Sequence, residues 1–171
     1  LITEFMASNT KTLLDENGNS SDWIEIHNPT EKAVSLNGWS LTDRDDALGK
    51  WRFPNATIPA GEYLVVFASG ENRIDPAGHL HADFKLGSSG EYLALVDSDI
   101  VVSHSYSPAY PSQTNDISYG LDTATDAIGY LLSATPGSMN SPLRGGLVEF
   151  LHSSNTFVKP FVLTISTDSA G

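Results

Sequence analysis

The sequence predicts an all-β fold, either a sandwich or a barrel. Short runs rich in aromatic and β-branched residues recur along the chain, and clusters of Gly, Pro, Asn and Asp separate them. These runs give roughly nine or ten strands at regular spacing. No segment has the apolar periodicity of an amphipathic helix of normal length, so any helix is expected to be a single turn.

In the first half of the chain, strands are predicted at 1–6, 22–27, 33–36, 39–43, 50–53 and 63–68. An Asn-Pro pair closes the second run and an Asn-Gly pair opens the fourth, which is typical of strand, turn, strand. The run 63–68 is continuous and apolar, which predicts a central strand covered on both faces. Polar segments at 8–22, 43–49 and 69–78 are predicted as loops, with a turn of helix or a short strand at 11–14.

The second half begins with a short edge strand at 81–86. The runs 91–96 and 100–106 flank a polar Asp-Ser-Asp loop, which predicts a hairpin. Pro108 and Pro111 interrupt the pattern, so this part of the chain is expected to wrap rather than to pair. The last strands are predicted at 117–120 and 130–132, and 134–138 ends the domain.

The chain is acidic, with 21 acidic and 9 basic residues and a formal net charge of −12. The charges beyond Pro142 cancel, so the residues before it carry the whole excess. Such a surface repels phosphate groups, and we therefore expect no binding to nucleic acid or to an anionic membrane surface. Carboxylates can also collect divalent cations, but solubility alone accounts for an acidic surface.

The absence of cysteine rules out disulfides, thiolate metal sites and a cysteine nucleophile. No apolar run reaches the roughly 20 residues of a transmembrane helix. The chain opens with Leu1 rather than methionine, so we expect a processed or excised chain from which any signal peptide is absent.

The sequence predicts one β-domain at 1–141, a linker at 142–146 and two further strand signals within 147–171. The final segment is shorter than the roughly 40 residues below which unsupported domains seldom fold. We therefore expect 147–171 to be the truncated first strands of a second β-domain.

Five pieces of sequence, in order, resemble the lamin tail domain in the form found in bacterial extracellular proteins. The pieces are DWIEIHNP at 22–29, LNGWSLTD at 36–43, WRFP at 51–54, IPAGEYLVV at 58–66 and ATPGSMN at 134–140. The resemblance covers about residues 1–141. The segment from Leu147 is similar to the start of the immunoglobulin-like domain that follows the catalytic domain in chitobiases and hexosaminidases.

The resemblance implies an immunoglobulin-like β-sandwich without enzymatic activity. Animal lamin tails serve as interaction surfaces, and the bacterial forms are regarded as adhesive or tethering modules beside hydrolases and cell-surface enzymes. The family supplies no catalytic residue that could be assigned to this chain.

The segment 15–22 is the best candidate for a calcium loop. Oxygen-bearing side chains stand at alternate positions, namely Asp15, Asn17, Asn19 and Ser21, as in the first half of an EF-hand loop. An EF-hand needs Gly at its sixth position and Glu at its twelfth, where this chain has Ser20 and Ile26. The sequence therefore favours a loop closed by its own Asp and Asn side chains, and calcium stays an open alternative.

Three histidines form the second candidate site. His79 and His81 share one face if the segment is extended, and Asp83 continues that face, with His104 elsewhere in the chain. Residues on a single strand rarely converge on one ion. Exposed or hydrogen-bonded histidines are favoured over a zinc site.

The three tryptophans could form an aromatic platform for sugars. Trp39 and Trp51 lie in strand runs beside apolar residues, which favours core positions for both, whereas the sequence leaves Trp23 open.

No nucleophile motif is present, and the Asp45-Asp46 pair lies in a predicted exposed loop. We therefore predict no catalytic residue, no cofactor and no metal. The favoured function is an interaction, tethering or spacer module of a larger secreted or cell-surface protein, whose partner is a protein or a cell-surface polymer. A carbohydrate-binding module with exposed aromatic residues is the alternative.

Overall fold

The computed structural model describes residues 1–75 and 78–145, and within these ranges every regular element is a β-strand. The thirteen strands are β1 Ile2–Met6, β2 Asp22–His27, β3 Val34–Ser35, β4 Ser40–Thr42, β5 Trp51–Arg52, β6 Thr57–Ile58, β7 Tyr63–Ala68, β8 Arg73–Ile74, β9 Leu80–His81, β10 Leu93–Val96, β11 Val102–Tyr106, β12 Tyr119–Asp122 and β13 Ala127–Tyr130. The predicted all-β class is confirmed. In the described ranges no helix is present that could cross a membrane.

The strands form an immunoglobulin-like β-sandwich of two main sheets. The larger sheet has seven strands in the order β13-β12-β1-β2-β7-β9-β8, and the smaller has four in the order β11-β10-β4-β5. A third sheet contains only β3 and β6. Among these thirteen described strands, every pairing is antiparallel except that of β7 with β9, which is parallel.

The main core lies between the two sheets. Phe5, Ile24 and Val66 stand opposite one another across β1, β2 and β7, and all three are buried. They belong to the same apolar cluster as Leu41 and Leu95 of the smaller sheet. Because strand side chains alternate between faces, this row fixes which residues of β1, β2 and β7 point away from the core.

The opposite face of the larger sheet is also covered. Met6, Trp23 and Phe67 form a second buried row, against which Leu13 and Ala134 pack. The covering residues come from the long loop after β1 and from the segment that ends the domain. As a result, every residue of β1 is buried.

The prediction that 63–68 is covered on both faces is only partly correct. The strand β7 has the predicted bounds, but its first three residues are half-buried and only its last three are buried. Strands β1 and β2 are more completely covered, since every residue of β1 and the four middle residues of β2 are buried.

Several smaller predictions were wrong. The segment at 11–14 forms neither helix nor strand, and the predicted loop at 69–78 contains β8. The predicted edge strand at 81–86 shrinks to β9, which lies inside the sheet between β7 and β8. Short pairings such as β3 with β6 raise the number of strands above the predicted number. The predicted hairpin of β10 and β11 is present.

Candidate functional site

The tryptophans do not form a surface platform. Trp23 is fully buried and Trp51 is 4% exposed, whereas Trp39 is partly buried and packs against the main core. The predicted core position of Trp51 is therefore confirmed, and Trp23 also fills a core position. The sugar platform proposed for these three rings is absent.

The 15–22 loop is closed by the carboxylate of Asp15. Its Oδ1 accepts hydrogen bonds from the backbone N–H groups of Asn17 at 2.9 Å and Asn19 at 2.8 Å. Its Oδ2 accepts from the Ser21 hydroxyl at 3.4 Å. Burial alone would raise the pKa of Asp15, but the hydrogen bonds from Asn19 and Asn17 outweigh it and hold the pKa below its ordinary value. This geometry is that of an Asx-closed loop.

The structure separates the histidines that were predicted as one candidate. His104 lies on β11 in the smaller sheet, and Asp83 is exposed. His79 and His81, in contrast, both point toward Glu16. The two distances to Glu16 Oε2 are 3.8 Å from His79 Nδ1 and 3.1 Å from His81 Nε2.

Asp75 completes this group, which we call the acid–histidine cluster and define as Glu16, Asp75, His79 and His81. Asp75 Oδ2 lies 3.0 Å from His79 Nδ1, and Asp75 Oδ1 accepts the backbone N–H of His79 at 2.5 Å. His81 is fully buried, and the side chain of His79 is 49% exposed. The cluster therefore reaches from the interior of the domain to its surface.

Sequence reasoning missed Glu16 and Asp75. Glu16 does not belong to the alternate oxygen pattern of the 15–22 loop, and Asp75 lies in a predicted loop that has no motif. The spacing of His79 and His81 was the signal that could be read, because it predicted a shared face. Their acidic partner comes from a position 65 residues earlier than His81.

A second missed feature is a pair of buried glutamates on the outer face of the larger sheet. Glu4 and Glu25 are both fully buried and lie opposite each other on β1 and β2. Burial raises the pKa of Glu25 to about 7, although hydrogen bonds from Thr3 and Gly137 oppose the shift. Burial likewise raises the pKa of Glu4.

The glutamate pair is sealed beneath the closing segment of the domain. Thr135 donates to Glu4 through both its backbone N–H and its hydroxyl, and Gly137 N–H donates to Glu25 at 2.7 Å. Asn140 Nδ2 donates to the carbonyls of Thr3 and Leu121, each at 2.8 Å. These contacts give the ATPGSMN motif a structural role. The two carboxylates accept hydrogen bonds from this segment of the protein and do not line an open cleft.

The remaining feature is an open sheet edge. Strand β11 terminates the smaller sheet, and no described strand pairs with its outer side. The start of this edge is apolar and exposed: Ile100 and Val101, just before the strand, are 43% and 58% exposed, and Val102, its first residue, is 38% exposed. An unpaired edge with apolar side chains can add a strand from another polypeptide.

Comparison with protein families gives one finding. The model of the Lamin Tail Domain family matches residues 1–131. No curated protein matches the chain.

Proposed function

Because this chain belongs to the lamin tail domain family, we propose that it is a non-catalytic interaction module that tethers a larger protein to a partner. The family consists of immunoglobulin-like modules that usually take part in protein interaction. The observation that carries the proposal is the open edge of β11, where we place the partner.

The other sheet edges are less suited to a partner strand. β5 and β8 have two residues each, which is too short for a stable added strand. The edge of β13 is partly closed by the chain itself: Leu143 bridges to Leu131, and Arg144 N–H donates to the carbonyl of Tyr130 at 2.7 Å. β11 has five residues and contains neither proline nor lysine, two residue types that protect edge strands in other proteins.

The chemistry around β11 indicates the kind of partner. Asp97 and Asp99 lie in the turn before the strand, and the chain carries a net charge of −12. An extended segment with apolar side chains and a basic residue near the turn complements this edge. We therefore propose a protein partner that adds a strand to β11. A carbohydrate partner has less support, because the tryptophans that would stack on sugars are buried or packed against the core.

We also propose that the module is part of a larger secreted or cell-surface protein. The resemblance to bacterial extracellular proteins supports a secreted or cell-surface location, with residues 1–141 as the module and 142–146 as the linker. The predicted second domain at 147–171, similar to the start of the chitobiase-type immunoglobulin-like domain, lies outside the described residues. We propose that this second domain connects the module to the rest of a longer protein.

The test uses peptides selected from a displayed random library against the full chain. Val102→Lys places a charge on the proposed edge, and Ile128→Lys makes the same change at a 47% exposed residue of β13. We expect Val102→Lys to weaken binding by about tenfold or more. Ile128→Lys should leave the affinity unchanged, and the amide signals that shift on binding should lie in β11. Selected peptides that bind Val102→Lys as tightly as the unmodified chain would overturn the proposal.

A further inference from the structure

We propose that a partner strand on β11 places one aromatic side chain in an apolar pocket that lies beside the start of β11, at the end of β2. This inference rests on the proposed function, since it takes the pairing of a partner polypeptide with β11 as its premise. It goes further by naming a second contact and the residue type that makes it. The partner is then recognised by an aromatic residue at one position of its added strand, as well as by its backbone.

Strands of all three sheets contribute to the wall of this pocket. Ile26 comes from β2, Ile58 from β6 and Leu95 from β10, and each of them is at most 2% exposed. The same three residues belong to the main core. An apolar group in the pocket therefore contacts side chains whose positions are fixed by close packing, which is typical of pockets that hold an anchor residue of a partner.

The size of the pocket suits a single side chain. Its volume is about 200 Å³. A cavity of about 150 Å³ in another protein binds benzene, whereas pockets for drug-sized ligands begin at about 300 Å³. The half-buried ring of Trp39 forms part of the wall, and ring pairs in edge-to-face or offset contact are stabilised beyond the area that they bury. Size and lining together indicate an aromatic side chain of the partner.

The charges around the pocket also favour an apolar occupant. None of the described residues that line it is Asp, Glu, Lys or Arg, although the chain carries a net charge of −12. Burial lowers the pKa of His27, which keeps its ring neutral at pH 7. The side-chain amide of Asn28 donates to carbonyls of the chain itself. A charged group would lose its hydration in the pocket without gaining an opposite charge, so an apolar side chain is favoured.

A β-bulge in β11 joins the open edge to the pocket. Leu95 of β10 stands opposite His104, but the next residue, Val96, stands opposite Val102. Ser103 is therefore the extra residue of β11, and bulges of this kind re-aim a side chain. Ser103 belongs both to the open edge and to the pocket wall. Because alternate side chains of a strand point to the same face, a strand paired with β11 can direct one of them into the pocket.

The test uses peptides that the displayed library yields against the full chain and that shift the amide signals of β11. We expect them to share one aromatic residue, whose replacement by alanine should weaken binding to the unmodified chain by about tenfold or more. Val34→Phe fills the pocket from β3 and leaves β11 unchanged, so it should weaken binding of the parent peptides by a similar factor. Ser35→Phe is the matched control, because it introduces the same side chain at the exposed next residue of β3, which does not line the pocket.

The indole N–H signals in NMR spectra give a readout that needs no variant of the protein. The parent peptide should shift the signal of Trp39, the alanine-substituted peptide should leave it unchanged, and neither should shift that of Trp23 in the second buried row. If Val102→Lys weakens binding but Val34→Phe binds as tightly as Ser35→Phe, or the Trp39 signal does not shift, the pocket proposal is overturned and the β11 edge stands. If Val102→Lys has no effect, the proposed function fails and this inference fails with it. Selected peptides without a shared aromatic residue also overturn the pocket proposal.

Discussion

Glu4 of β1 and Glu25 of β2 lie directly opposite each other, and both are fully buried on the outer face of the larger sheet. Like charges at directly opposite positions of neighbouring strands repel each other, and burial deprives both carboxylates of the hydration that they would have at the surface. The segment that covers them supplies hydrogen bonds from Thr135 and Gly137. The closing segment is therefore attached to the sheet through two carboxylates whose protonation depends on pH.

We predict that the free energy of unfolding falls as the pH rises from about 4.5 to about 7. Burial raises the pKa of Glu25 from 4.5 to about 7, so the folded state binds a proton in this range that the unfolded state has released. The contribution of Glu25 is fully present below the unfolded value and is lost as the pH passes through the folded value. Its upper limit is about 3 kcal/mol. Urea unfolding at several pH values measures it.

Glu25→Gln is the variant that isolates this effect. Its carbonyl can accept from Gly137 N–H, and its amide can donate to the hydroxyl of Thr3, which at present donates to Glu25 Oε1 at 2.7 Å. The variant should lose most of the fall in stability between these pH values. An unchanged pH profile in Glu25→Gln would assign the dependence to other groups.

A second prediction concerns Asn140, which links the closing segment to β1 and β12. Asn140→Ala removes the donor to the carbonyls of Thr3 and Leu121 and should lower the free energy of unfolding by about 1–3 kcal/mol. The exposed Asn55 provides the control, since Asn55→Ala should have little effect. Chemical denaturation of the three proteins compares them directly, and equal stability would show that the Asn140 contacts contribute nothing.

The sequence predicted the strands of the larger sheet well, but it did not predict which residues cover the outer face of that sheet. The bounds of β2 and β7 agree with the prediction, because their residues have strong strand preference and clear turn signals on either side. Alternation also places Trp23 and Glu25 on one face, but it does not show that this face is buried. The cover comes from Leu13 and from Ala134, and Ala134 is distant in sequence from both residues. Burial of this kind depends on the whole tertiary arrangement.

The acid–histidine cluster shows the same limit. The shared face of His79 and His81 follows from their spacing and could be predicted. The contact of Glu16 with β9 could not be predicted, because it depends on where the long loop after β1 packs. Single-sequence reasoning carries no information on that long-range contact.

Asn28 is predicted to be more important for stability than its place beside a turn suggests. It is 3% exposed, and its Nδ2 donates to the carbonyls of Lys32, Ile58 and Pro59. Its Oδ1 also accepts from the backbone N–H and the hydroxyl of Thr30. Asn28→Ala should lower the free energy of unfolding by about 3 kcal/mol, because several buried polar groups lose their partner. Asn55→Ala again serves as the control, and a loss no larger than in that control would contradict the prediction.

The last prediction separates a self-closed loop from a calcium site at 15–22. Asp15 Oδ1 already accepts from the amides of Asn17 and Asn19, so a cation would have to compete with groups of the loop itself. We expect calcium to leave the melting temperature of the chelator-treated chain unchanged, whereas binding to the folded state would raise it.

Asp15→Ala should lower the free energy of unfolding by about 1–2 kcal/mol, since two backbone donors lose their acceptor. Because the pKa of Asp15 lies below its ordinary value of 3.8 in the folded state, its stabilising contribution is present above that pH and is lost as the pH falls below it. The exposed Asn17 is a suitable control within the same loop, because Asn17→Ala keeps the backbone N–H that Asp15 binds. A calcium-dependent rise in melting temperature that Asp15→Ala abolishes and Asn17→Ala retains would contradict this prediction, because the carboxylate would then serve an ion rather than the loop.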